Sequence, residues 1–80
     1  MNSYEFFIKT ERKNIDFLNK IFEAYEGVGI VRTLDAEAGE IKLITIDIYR
    51  EDILKIIEDI NNYGVFLEVS REGLWGGELW

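Results

Sequence analysis

Residues 30–46 read IVRTLDAEAGEIKLITI, and this stretch decides the architecture. Two runs of β-branched and aliphatic residues, 30–34 and 40–46, flank the short acidic turn Asp35-Ala36-Glu37-Ala38-Gly39. Runs of this kind joined by a turn containing glycine form a β-hairpin. On its N-terminal side, residues 4–9 read as a strand with Tyr4, Phe6 and Ile8 on one face and Glu5, Phe7 and Lys9 on the other. A helix follows, because Ile15, Leu18, Ile21, Phe22 and Tyr25 recur at helical spacing, with Gly27 and Gly29 closing it. On the C-terminal side, Asp47 is the expected N-cap of a second helix, and Glu51 and Asp52 suit the positive end of its dipole. Ile53, Ile56, Ile57 and Ile60 form the buried stripe of that helix and Gly64 ends it. A fourth strand at residues 65–70 places Val65, Leu67 and Val69 on one face and Phe66, Glu68 and Ser70 on the other.

Two strand–helix–strand units around a hairpin have few solutions, because right-handed crossovers put both helices on the same side of the sheet. The expected fold is α+β: a ferredoxin-like βαββαβ sandwich with a four-stranded antiparallel sheet in the order 4-1-3-2 and two helices on one face. Strands four and two are then its edges. Residues 1–72 make the domain, and 73–80, Gly73-Leu74-Trp75-Gly76-Gly77-Glu78-Leu79-Trp80, make a Trp-containing tail.

Composition bounds what such a domain does. Eighty residues bury only about 60 to 65% of their unfolded surface. Small domains compensate with disulfides, a metal or a second subunit, and a chain with no Cys and no His lacks the usual ligands for the first two. Self-association is the remaining common route, and 48% hydrophobic residues with two Trp, four Tyr and five Phe favour it. A net charge of −7 repels nucleic-acid backbones and anionic lipid headgroups, so neither nucleic acid nor membrane is an expected partner. No apolar run approaches the roughly 20 residues of a membrane span, and the first nine residues lack a leader pattern. A small acidic cytoplasmic protein is the expectation.

The chemistry-bearing residues point away from catalysis. Ser3 and Ser70 have no His to activate them, and the acidic turn with Asp35, Glu37 and Glu40 does not match the spacing of a twelve-residue calcium loop. No catalytic residue, metal site or cofactor is expected. A small-anion or amino-acid site would fall at residues 10–14, where Arg12, Lys13 and Asn14 stand before the first helix. The stronger candidate is the sheet face opposite the helices. Phe7, Leu43 and Phe66 are expected there as an apolar patch, with Leu74, Trp75, Leu79 and Trp80 from the tail. Two occupants fit it. The tail itself spans about 23 Å when extended, against about 14 Å between the outer strands. The other is a second copy or a protein partner, with the Trp residues as anchors. A homodimer is the reading carried forward, and a small-ligand sensor is the alternative.

The arrangement over residues 4–70 resembles regulatory modules of the ACT type. The resemblance implies pairing through sheets or edges and binding of amino acids at subunit boundaries. ACT domains typically carry Asp or Asn followed by Pro-Gly after strand one, where this chain has Thr10-Glu11-Arg12-Lys13-Asn14. Around Tyr25-Glu26-Gly27, Val31-Arg32-Thr33-Leu34-Asp35 and Gly39 the chain is also similar to an uncharacterised bacterial family of small domains of unknown function. That similarity implies fold and family and carries over no activity.

Overall fold

The computed structural model describes residues 2–25 and 29–74. Its elements are β1 (Ser3–Lys9), α1 (Ile15–Ala24), β2 (Ile30–Asp35), β3 (Glu40–Ile46), α2 (Arg50–Asn62) and β4 (Glu68–Leu74), with a short 3₁₀ turn before each helix. The sheet runs β2-β3-β1-β4 with every neighbour antiparallel. This is the expected ferredoxin-like order read from the other edge.

One sheet face and the two helical stripes make the core. Phe6 and Ile8 lie opposite Leu43 and Ile41, so the four share a face, and all are buried. Ile15, Leu18 and Phe22 of α1, Ile53, Ile57 and Ile60 of α2, and Leu67 complete the cluster. Full burial of each such side chain favours folding by about 1.5–3 kcal/mol before the entropy of ordering it is counted. Among the described residues no helix is long and apolar enough to cross a membrane.

Two expected boundaries move. Asp47 does not cap a helix with its side chain; it opens the 3₁₀ turn and its N–H donates to the carbonyl of Asn2 at 2.9 Å. The fourth strand begins at Glu68 rather than Val65, because side chains have taken the backbone groups just before it. Asn61 accepts from the Leu67 N–H at 3.0 Å and donates to the Leu67 carbonyl at 3.1 Å. Thr10 Oγ1 donates to the Phe66 carbonyl at 2.6 Å. β4 then runs through Gly73 and Leu74, so two residues read as tail are strand. Gly27 lies outside the described residues.

The hairpin glycine is fixed by geometry. Gly39 has φ +71°, its carbonyl accepts from the Thr10 N–H at 2.8 Å, and a Cβ there would overlap the Thr10 carbonyl. The turn is thereby held against the end of β1.

Candidate functional site

The helix-free sheet face carries the densest set of unusual contacts. Phe7 pairs with Lys42 on β3 and Arg71 on β4, which puts all three on this face. The Arg71 guanidinium lies 4.0 Å from the centre of the Phe7 ring and the Lys42 ammonium 5.1 Å from it. Lys42 Nζ is 2.9 Å from Glu5 Oε2, with the lysine side chain only 1% exposed and the glutamate 15%. On the β2 side, Ile30 is 58% exposed and stands opposite half-buried Ile44. A bulge at Ser70 makes Arg71 the partner of Phe7. Val69 pairs with Ile8, Arg71 with Phe7, and the extra residue's hydroxyl donates to the Phe7 carbonyl at 3.1 Å.

The expected interface residues separate. Phe7 is on this face, as its alternation required. Leu43 is not: it is buried among the core residues opposite Phe6, because the pairing of β1 with β3 sets its side. β3 is apolar on both faces, so its own pattern could not make that choice, and Ile44 takes the place Leu43 was expected to hold. Phe66 is exposed but precedes β4, and Arg71 rather than Phe66 lies beside Phe7. Leu74 is exposed at the end of β4 opposite Tyr4, on the helix side of the sheet. Trp75, Leu79 and Trp80 lie outside the described residues.

Arg12, Lys13 and Asn14 are brought together on the 3₁₀ turn before α1, and their polar groups meet partners in the chain. Arg12 pairs with Glu37 of the hairpin turn at 2.7 Å, Lys13 with Glu11 at 3.7 Å, and Asn14 Nδ2 donates to Thr10 Oγ1 at 3.4 Å. Lys9 Nζ also donates to the Ala38 carbonyl. These contacts tie the hairpin turn to the end of β1 and offset the positive charge an anion would need.

Two features had been missed. The first is a polar cluster at the far end of the sheet. Arg50 Nε donates to Glu72 Oε1 at 2.5 Å and the Tyr4 hydroxyl donates to the same oxygen at 2.7 Å. The Arg50 and then the Tyr4 hydrogen bond hold the Glu72 carboxyl below its usual range. The bond to Glu72, with burial adding to it, raises the Tyr4 phenol. Three residues so far apart in the chain leave no signal in the sequence. The second is a largely apolar groove of about 420 Å³ on the outer side of the helices, lined by Phe17, Ile21 and Tyr25 of the α1 segment and Ile56, Asp59, Ile60 and Tyr63 of the α2 segment. Here a signal existed: Phe17 stands four residues before Ile21 and Tyr63 three after Ile60, so each widens its helix's apolar stripe beyond the core. Among the described residues no group of three or more acidic side chains is placed to hold a metal ion.

Fold and surface together define a small α+β domain with a helix-free sheet face. The chain belongs to the family described as Domain of unknown function (DUF4911), whose model matches residues 8–63, well over half of the sequence. That span takes in Ile8 at the end of β1, through α1, the hairpin and α2. No curated protein and no solved structure matches the chain.

Proposed function

We propose that the chain is a non-enzymatic interaction module that associates with a second copy of itself through the helix-free sheet face and the Trp-containing tail. The observation that carries this reading is Ile30, 58% exposed on that face beside Ile44, where an uncovered sheet of a monomer would present polar side chains. Pairing also supplies buried area to a domain too small to bury much alone and without Cys for disulfides. Trp75, Leu79 and Trp80 are the anchors of the contact in this reading, since Trp concentrates binding energy when it fills a partner's pocket.

Ile30→Glu tests it without touching the core. Sedimentation should show the dimer dissociation constant rise on the order of tenfold or more, equivalent to about 1.4 kcal/mol, with the far-ultraviolet dichroism unchanged. An unchanged constant would place the contact elsewhere, and the groove beside Phe17 and Tyr63 would be the next surface to alter.

A further inference from the structure

We propose that the groove on the outer side of the helices binds a free small organic cation with a methylated ammonium head, held between aromatic rings and the carboxylate of Asp59. The floor of the groove is Ile21, Ile56 and Ile60, which lie in the core or pack against it. Its walls have no such role. Phe17, Tyr25 and Tyr63 are exposed and belong neither to the core nor to the side chains packed on it. The two tyrosine hydroxyls have no hydrogen-bond partner among the described residues. Packing therefore does not explain why three rings surround one hollow, and exposed apolar surface gathered in this way marks a place of contact. The volume, about 420 Å³, falls within the roughly 300–1,000 Å³ of ordinary small-molecule sites.

Charge selects the occupant. Asp59 lines the groove with the rings, and its carboxylate has no ion-pair or hydrogen-bond partner among the described residues. By helical spacing Asp52 falls on the same side of α2, two turns earlier. The nearby cations stand aside. Lys20 and Lys55 do not line the groove; Lys20 is 3.8 Å from Asp16, and Lys55, one turn before Asp59, makes no ion pair among the described residues. Across α1 and α2 together, six carboxylates face three cations, so the helical layer favours a positive ligand. An uncharged apolar partner seated on the groove would bury the Asp59 carboxylate without a counter-charge, which is unfavourable. A methylated ammonium suits both parts of the site: its methyl groups lie against ring faces, whose electrons attract its charge, and the carboxylate compensates that charge.

The groove belongs to the helical layer, so this site is independent of pairing through the sheet face and stands or falls without it. The probe is choline, with neohexyl alcohol, in which a quaternary carbon replaces the nitrogen, as its uncharged isostere. Each is titrated at constant ionic strength into the full chain, isotope-labelled for amide chemical shifts. Choline should give saturable shifts centred on residues 17–25 and 56–63, with a dissociation constant about tenfold below that of the alcohol. Tyr63→Ala should weaken choline binding about threefold to fivefold. Asp59→Asn should weaken it about threefold while leaving the alcohol unchanged. Both side chains are exposed, so helical dichroism should be kept in each variant. Choline shifts that do not saturate, or that lie outside the groove, would overturn the proposal. So would equal affinity for choline and the alcohol, which would make the groove merely apolar, or choline binding unchanged in both variants. Shifts given by a trimethyllysine peptide and not by choline would put the cation on a protein chain and overturn the assignment to a free molecule.

Discussion

Glu72 shows how one carboxylate joins three elements. It sits on β4, takes hydrogen bonds from Arg50 at the start of α2 and from Tyr4 on β1, and is ionised more easily than a free glutamate. A carboxyl whose folded pKa is depressed contributes stability above its unfolded value, near 4.5 here, and loses it as pH falls through the lower folded value. Tyr4 has the opposite sign: its raised phenol contributes stability below about 10, lost as pH climbs through the folded value. Urea midpoints measured against pH should fall on both sides, with Glu72→Gln flattening the acid limb and Tyr4→Phe the alkaline one. If neither limb responds, the cluster is a surface contact that folding does not use. The Glu5–Lys42 pair makes a second prediction. Removing one member of a buried ion pair takes that counter-charge from the other, at a cost of about 3 kcal/mol, whereas exchanging both for apolar residues is close to neutral. Glu5→Leu should therefore lose more stability than Glu5→Leu with Lys42→Met, measured by urea unfolding; equal losses would show a solvated pair.

Elements were legible where the deciding forces are local. Of the two stripes read from spacing, Ile15, Leu18, Phe22, Ile53, Ile57 and Ile60 are buried, Ile21 and Ile56 are half-buried and Tyr25 is exposed, and β3 occupies residues 40–46 as its run of aliphatic residues implied. What the pattern could not reach was decided by distant side chains. Asn61 and Thr10 hold the backbone of Leu67 and Phe66 and delay β4, and neither belongs to that strand. The side of Leu43 depended on its pairing with Phe6, since alternation within β3 was apolar both ways. The glycines test the element boundaries. Gly64 has φ +91° with open space where a Cβ would go, so Gly64→Ala should cost about 1–2 kcal/mol from backbone strain alone. Gly39→Ala carries similar strain plus a collision with the Thr10 carbonyl and should cost at least about 1 kcal/mol more by thermal or urea unfolding. Equal losses would mean that the hairpin turn moves away from β1 at little cost.

At the scale of the whole molecule, the acidic chain divides its surface unevenly. Phe7, Arg32, Lys42 and Arg71 stand on the helix-free face with the carboxylates Glu5, Glu40 and Glu68, while the outer side of the helices carries a separate apolar groove with Tyr63 89% exposed. The face was legible in outline, because a two-layer sandwich always leaves one sheet side without helices. Its composition was not, because Phe66 falls before the first residue of β4 and the bulge at Ser70 then brings Arg71 beside Phe7. The helical groove was overlooked because Ile21, Tyr25, Ile56 and Ile60 were read as core stripe, which left Phe17 and Tyr63 without apolar neighbours on the surface. Association through the helix-free face and tail is the claim that organises these observations. Its most direct test is the molar mass of the full chain by light scattering during gel filtration over a wide concentration range. Pairing predicts a mass rising to twice 9.4 kDa as concentration increases, and a mass that stays at 9.4 kDa throughout contradicts it.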